Sequence, residues 1–93
     1  MTDKPTISTP VSTVRVNESD PLRLQCTADG NPKPVVLWRR LSSEDVITKG
    51  PVYNIFKASR ADTGTYTCTA INSLDTNGAS VSIIVMVQCK LML

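Results

Sequence analysis

Short runs in which apolar and polar residues alternate recur along this chain, and glycine and proline separate them. The clearest run is 22–28, where every second side chain is apolar, as in a strand with one buried face. Further strands are predicted at 6–9, 11–16, 35–41, 46–48, 52–57, 65–72 and 79–87. No stretch keeps a helical period. Many short strands with turns between them predict an all-β sandwich or barrel.

Turn residues mark where these strands should end. Pro10 interrupts the first strand signal, because proline cannot donate a hydrogen bond to a strand ladder. Turns or loops are predicted at 17–21, 29–34 and 58–64, and at 73–78, where Asn77 and Gly78 form a pair favoured in hairpins. Only residues 39–52 separate Trp38 from Tyr53, so the strand at 46–48 is expected to be weak or missing.

Composition and charge limit the class of protein. The 93 residues suffice for one domain, and 41% of them are apolar, as in an ordinary globular core. The net charge of +2 is spread along the chain, whereas a nucleic-acid surface would need a clustered basic stripe. The longest apolar run, 83–87, is far shorter than the ~20 residues of a membrane span. The first residues lack the apolar stretch of a signal peptide, which says little about compartment if the chain belongs to a larger protein.

The residues for catalysis are missing from the sequence. There is no histidine, which removes the commonest general base and the commonest metal ligand. No glycine-rich phosphate loop, metal-ligand spacing or nucleophile elbow occurs. Solvation and turn capping account for the carboxylates of the loops, Asp29, Glu44, Asp45, Asp62 and Asp75. We therefore expect no enzyme activity, no cofactor and no metal.

Two cysteines and a tryptophan stand at informative places in the strand pattern. Cys26 lies in the middle of the clearest strand, Trp38 follows twelve residues later, and Cys68 follows Cys26 by 42 residues. Just before Cys68 comes the pattern Asp62-x-Gly64-x-Tyr66-x-Cys68. Together these residues resemble the core signature of the immunoglobulin superfamily. The stretch 30–34 before Trp38 is similar to that of its intermediate set (I-set), found in adhesion molecules and receptors.

The resemblance covers roughly residues 5–87 and implies a fold and a role for each signature residue. The fold would be an immunoglobulin-like Greek-key sandwich of two antiparallel sheets, I-set or constant-like, with about seven to eight short strands. Cys26 and Cys68 would form one inter-sheet disulfide; the alternative is a pair of reduced thiols, as in similar domains of intracellular muscle proteins. Trp38 would pack beside the sulfurs, and the Tyr66 hydroxyl would bond back to the backbone. Gly64 would permit the turn that Asp62 caps.

The same resemblance divides the chain and assigns its outer surface. We expect an extension at 1–4, the domain at 5–88, and a tail or linker at 89–93. Because the strand order of this fold places three strands side by side, one exposed apolar patch is expected on their outer face. The candidate partner-binding face consists of Leu37, Arg39, Leu41, Ile71, Ile84 and Met86. The alternative is that these side chains are scattered or covered by a neighbouring domain.

The residues and the resemblance together predict a binding function. The leading interpretation is a non-catalytic module of an extracellular adhesion or cell-surface receptor protein, flanked by further domains. Its partner would be a protein, either a second copy or a cell-surface ligand, bound on this face and on the loops at 30–34 and 74–78. The runner-up is an intracellular spacer of a muscle-filament-like protein, and a third interpretation is a soluble immune-recognition molecule.

Asn17 begins the sequence Asn17-Glu18-Ser19, a candidate N-glycosylation site. Cys89 has no partner in the expected fold and is either a boundary residue or an inter-chain link.

Overall fold

The computed structural model describes residues 2–8 and 12–89, and almost all of its regular structure is strand. The nine strands are β1 (Asp3–Ser8), β2 (Thr13–Asn17), β3 (Leu22–Gln25), β4 (Thr27–Asn31), β5 (Val35–Arg40), β6 (Val46–Lys49), β7 (Val52–Ile55), β8 (Gly64–Asn72) and β9 (Asp75–Gln88). A single turn of 3-10 helix, Arg60–Asp62, precedes β8. No helix in the described ranges is long and apolar enough to cross a membrane.

The strands form two layers. One layer is a five-stranded sheet in the order β2-β9-β8-β5-β6, and the other contains the pairs β1–β4 and β3–β7. Only Cys26 separates β3 from β4, so these two pairs form one continuous layer. All pairs are antiparallel except β2–β9, which is parallel. The sandwich is thus antiparallel as predicted, and β2 adds one parallel pair at an edge of the five-stranded sheet.

The core lies between the layers, on the inward faces that the alternation predicts. Its largest fully buried side chains are Trp38, Tyr66, Leu24, Ile83 and Val85, together with the two cysteines. A fully buried side chain of this size contributes roughly 1.5–3 kcal/mol relative to an exposed one. The inward positions of β3, β5, β8 and β9 all supply the core, so the two layers hold each other in register.

The β1–β4 pair extends further along the chain than predicted. The loop expected at 29–34 is partly strand, because Asp29 and Asn31 pair with Thr6 and Asp3 of β1. For the same reason β1 begins at Asp3, three residues earlier than the predicted strand. The break expected at Pro10, with Thr9 and Val11, lies outside the described residues.

The hairpin between β8 and β9 is tighter than predicted. Asn72 pairs with Asp75, so the loop contains only two residues, and the predicted turn pair lies within β9 instead. The pairing register shifts between Ala70 and Asn72, and Gly78 has a φ of 83°, the left-handed region that glycine adopts without strain. The Asn-Gly pair thus forms a bulge, where one strand carries extra residues, rather than the turn.

The middle of the domain contains one strand at the predicted place. β6 pairs with β5, with a register shift between Trp38 and Arg39, and so completes the five-stranded sheet. β7 follows after Gly50 and Pro51 and pairs with β3 in the other layer. It ends at Ile55, two residues before the predicted end, as the chain turns and the Ala58 N–H bonds to the Asp20 carbonyl.

Candidate partner-binding face and the corner beside it

A disulfide connects the two layers at the centre of the core. Cys26 and Cys68 are bonded, with their Cα atoms 6.5 Å apart and a separation of 42 positions in sequence. Both are fully buried, and so is Trp38, which pairs directly with Cys68 across β5 and β8. The predicted disulfide is present, and it fixes the sheet whose outer surface carries the candidate face.

The turn before β8 is closed by side-chain hydrogen bonds. The Tyr66 hydroxyl donates to the Asp62 carbonyl oxygen at 2.7 Å. The Asp62 carboxylate accepts from the Ser59 N–H at 2.8 Å and from the Ser59 hydroxyl at 3.3 Å. The short helix is therefore capped at its start and tied to β8 at its end.

Arg40 completes this corner, a role that the sequence did not reveal. Its guanidinium donates to the Ala61 carbonyl at 3.0 Å and to the Thr63 carbonyl at 2.7 Å. Its central carbon lies 5.2 Å from the centroid of the Tyr66 ring, within range of a cation–π contact. A Cβ on Gly64 would lie 2.8 Å from the same guanidinium, so the glycine makes room for it. The available signal was an inward-facing cation at a strand end, which must find acceptors.

The environment of Tyr66 changes its acidity. Burial raises the pKa of the Tyr66 hydroxyl, because the phenolate would lose solvation. The Arg40 cation acts in the opposite direction, while Asp62 and Tyr53 raise the pKa further. The hydroxyl therefore stays protonated and able to donate to Asp62 throughout the neutral range.

At the other end of the sandwich, the buried amide of Asn72 joins three segments. Its side-chain nitrogen donates to the carbonyls of Asp3 at 2.8 Å and Pro32 at 3.0 Å. Its side-chain oxygen accepts from the N–H groups of Leu74 at 3.0 Å and Asp75 at 3.2 Å. Asn72 thus fixes the tight hairpin beside the start of β1 and the β4–β5 loop. The sequence placed Asn72 at the end of a strand but gave no sign of these partners.

The six residues of the candidate face lie on or beside the outer surface of the five-stranded sheet. Leu37 is opposite Thr69, and Thr69 is opposite Ser80. One row further on, Arg39 is opposite Thr67, and Thr67 is opposite Ser82. These hydroxyls pair across the strands, at 3.0 Å for Thr69 with Ser80 and 3.5 Å for Thr67 with Ser82. We call these four residues, Thr67, Thr69, Ser80 and Ser82, the hydroxyl band.

The hydroxyl band divides the expected apolar patch into two groups. The first group lies on the side of the band toward the start of β8, and we call it the lower group. It contains Leu41, Ile84 and Met86, which are 68%, 48% and 40% exposed. Leu41 bonds through its N–H to the Thr65 carbonyl, and Thr65 is opposite Ile84, so Leu41 and Ile84 lie on either side of Thr65 in one row across the sheet. The upper group contains Val35, Leu37 and Ile71, of which only Val35 is mostly exposed. The apolar surface open to a partner is therefore concentrated in the lower group.

The charges on this face have one sign. Arg15 of β2 is opposite Met86, and Lys49 of β6 is opposite Leu37, so both are on the same side as the candidate residues. Arg39 donates from Nε to the Glu44 carbonyl at 3.1 Å, which ties the β5–β6 turn to the face. The outward positions of β2, β5, β6, β8 and the part of β9 beyond residue 78 carry no carboxylate. The acidic residues Glu44 and Asp45 lie at the rim, in the turn after β5.

The candidate glycosylation site lies at the end of β2. Asn17 is exposed, and its carbonyl accepts the Asp20 N–H at 3.1 Å, closing a four-residue turn. Ser19, the third residue of that turn, has a φ of 72° and is also exposed. Cys89 is exposed as well and is a free thiol. Within 2–8 and 12–89, no three His, Cys, Asp or Glu side chains form a group that could hold a metal ion.

Comparison with known proteins identifies the family. A family profile described as "Immunoglobulin domain" matches residues 4–72. With the two-layer sandwich, the buried tryptophan and the inter-layer disulfide, this shows that the chain belongs to the immunoglobulin domain family. The predicted fold class and the family resemblance are both confirmed.

The proteins similar to this chain include an adhesion protein and titin. The chain is 33% identical over 78 residues to dog vascular cell adhesion protein 1, a match covering 81% of this chain and 11% of the relative. It is 41% identical over 78 residues to lachesin of Schistocerca americana, covering 78% and 22% of the two chains. The solved structure of titin domains z1z2 in complex with telethonin matches with a TM-score of 0.78 and 26% identity, over 98% of this chain and 50% of that one. The chain thus spans less than a quarter of these two curated relatives.

Proposed function

We propose that the chain is a non-catalytic binding module of an extracellular cell-adhesion or cell-surface receptor protein. Its partner is a protein, bound on the outer face of the five-stranded sheet, and further domains flank it in the parent protein. The adhesion protein among its relatives supports this proposal, as does the disulfide, which persists in oxidising compartments. Glycosylation at the exposed Asn17 belongs to the same proposal.

The lower group on the outer face is the observation that carries the proposal. Three large apolar side chains, Leu41, Ile84 and Met86, are exposed together beside a band of hydroxyls. Adjacent exposed apolar side chains with a polar rim are characteristic of contact surfaces, in which a few anchors supply most of the affinity. The hydroxyl band would supply directional hydrogen bonds next to these anchors.

The charges on the face favour a different protein over a second copy. An isologous pair would bring the face that carries Arg15, Arg39 and Lys49 against the same basic face of the other molecule. An acidic partner would instead meet them with opposite charge, which speeds association at low salt. The expected partner is therefore a cell-surface protein that presents carboxylates around an apolar centre.

Beads coated with the chain test this proposal. Wild-type beads should bind to cells that express the partner and should show little bead–bead aggregation, and high salt should weaken the binding to cells. Ile84→Lys and Leu41→Lys should abolish cell binding while the thermal unfolding temperature stays near that of the wild type. The matched control is Phe56→Lys, which changes a side chain that is 86% exposed outside this face. Equal binding by all variants, or no wild-type binding to any cell type in a panel, would contradict the proposal.

A second candidate is an intracellular spacer module, which the match to the titin domains favours. In that role Cys26 and Cys68 would be reduced in the cell. Thiol labelling of the natively produced protein under denaturing conditions separates the two. Cys89 alone should label in the extracellular case, whereas labelling of all three cysteines supports the spacer.

A further inference from the structure

The bulge in β9 places an asparagine and a glycine next to each other at the surface. Asn77 is exposed, and Gly78 follows it with a φ of 83°. Glycine has no side chain to shield its backbone nitrogen, so this nitrogen can reach the side-chain carbonyl carbon of the preceding asparagine. We propose that Asn77 is a site of spontaneous deamidation and that Asp75 slows the reaction by holding the Gly78 N–H.

The reaction is an attack of the backbone on a side chain. The Gly78 nitrogen loses its proton to solvent and forms a bond to Cγ of Asn77, and the side-chain nitrogen leaves as ammonia. The product is a five-membered succinimide ring. Water then opens the ring at either carbonyl, which leaves an aspartate or an isoaspartate at position 77. Water is the only co-reactant, and no oxidation occurs.

Asp75 opposes the first step in two ways. Its Oδ1 accepts the Gly78 N–H at 3.1 Å, so the hydrogen bond must break before this nitrogen can attack. Its negative charge also disfavours loss of the proton, because the resulting nitrogen anion would face a carboxylate. The Asp75 backbone is itself held by Asn72, whose side-chain oxygen accepts the Asp75 N–H at 3.2 Å. Asp75 is thus a positioning residue for the nitrogen, fixed by the hairpin.

The modification would change the surface next to the proposed binding face. A Cβ built on Gly78 lies 3.0 Å from side-chain atoms of both Thr69 and Ile71, so the bulge packs closely against the hydroxyl band and the upper group. An isoaspartate adds a methylene to the backbone here, and either product adds a negative charge to a chain of net charge +2.

Incubation of the folded chain in H₂¹⁸O at pH 8, followed by peptide mapping, tests the proposal. In the wild type, slow conversion with ¹⁸O incorporation is expected at Asn77, ahead of Asn17 and Asn54, which precede larger residues. Asp75→Ala should accelerate it about fivefold, the factor expected for loss of one net hydrogen bond. Asp75→Asn keeps an acceptor without the charge and should restore part of the protection.

A control separates this effect from loosening of the hairpin. Hydrogen exchange at the Ser80 and Val81 amides should stay as slow in Asp75→Ala as in the wild type. Asp29→Ala, which removes an exposed carboxylate on the opposite layer, should leave the rate unchanged. An Asn77 rate that is unaltered in Asp75→Ala, or that rises only together with hydrogen exchange, would overturn the role of Asp75. An Asn77 that stays intact while Asn17 or Asn54 reacts would overturn the site itself.

Discussion

The Tyr66 hydroxyl donates a 2.7 Å hydrogen bond to the carbonyl oxygen of Asp62, four residues earlier in the chain. The ring of Tyr66 is buried in the core, with 1% of the residue exposed, while its hydroxyl reaches the turn at the end of the sandwich. One side chain therefore connects the packing between the layers to the conformation of the corner. Arg40 contacts the same ring and two carbonyls of the same turn, so the three residues act as a unit.

Removal of this hydroxyl should destabilise the domain without changing its fold. Tyr66→Phe keeps the ring but leaves the Asp62 carbonyl without its donor, which costs about 1 kcal/mol in the free energy of unfolding. Urea denaturation of both proteins at pH 7 measures the difference. Tyr53→Phe is the matched control, since the Tyr53 ring lies 6.0 Å from that of Tyr66 but its hydroxyl makes no hydrogen bond within the described residues. An equal loss in both variants would contradict this role of the hydroxyl.

The raised pKa of Tyr66 predicts a loss of stability at alkaline pH. The folded state holds the Tyr66 proton more tightly than the unfolded state, whose tyrosine pKa is about 10. Above that pH the unfolded chain binds fewer protons than the native one, so the free energy of unfolding falls as the pH rises. The contribution is complete below the unfolded pKa and is lost as pH rises toward the folded pKa. Urea unfolding from pH 8 to 11 should therefore show a steeper decline for the wild type than for Tyr66→Phe, whereas parallel declines would refute it.

The sequence predicted those parts of the molecule that depend on alternation along one strand. Cys26, Trp38 and Cys68 occupy inward positions that can be assigned from their own neighbours, and the fold followed from them. The two-residue hairpin was missed because the Asn-Gly pair is a good turn by itself. The side chain of Asn72, with partners up to 69 residues away, stabilises a different turn. Contacts between distant segments leave no mark in local periodicity.

For a similar reason, the sequence could not predict whether the candidate face is continuous. The sequence assigned Leu37, Leu41, Ile71, Ile84 and Met86 to outward positions one strand at a time. Whether they touch depends on the register between strands, and that register places the hydroxyl band between them. Register is set by turn geometry and by the packing of the whole layer, which a single strand does not encode.

Asn72 should be the most sensitive polar residue of the domain. Asn72→Ala removes a buried amide that makes four hydrogen bonds and leaves four backbone groups in three segments without this partner, so a loss of about 3 kcal/mol is expected. Chemical denaturation gives the magnitude, and hydrogen exchange at Leu74 and Asp75 should show an opened hairpin. Asn54→Ala, at an exposed strand position, is the control and should change stability little. A loss no larger than that of the control would show that the four bonds are replaced by water at no cost.

Arg40 should not be replaceable by lysine. Its planar guanidinium donates to the Ala61 and Thr63 carbonyls at once, whereas the ammonium of lysine is a compact group that cannot span both in the same geometry. Arg40→Lys should therefore cost about 1 kcal/mol and should make the Tyr66 amide exchange faster. Arg39→Lys, on the outer side of the same strand, loses only the bond to Glu44 and should cost less. The reverse order of the two losses in urea unfolding would contradict the corner assignment.

The disulfide should be the largest single contribution to stability. It closes a loop of 42 residues, so its loss should lower the free energy of unfolding by roughly 4 kcal/mol, mainly because the reduced unfolded chain gains conformational freedom. The double variant Cys26→Ala, Cys68→Ala measures this without a reductant, and Cys89→Ser, which changes an exposed free thiol, serves as its control. Since 5–15 kcal/mol is a usual total for a domain, the double variant should unfold at much lower urea concentration. A loss below about 1 kcal/mol would mean that packing of Trp38 and the two layers holds the sandwich without the covalent link.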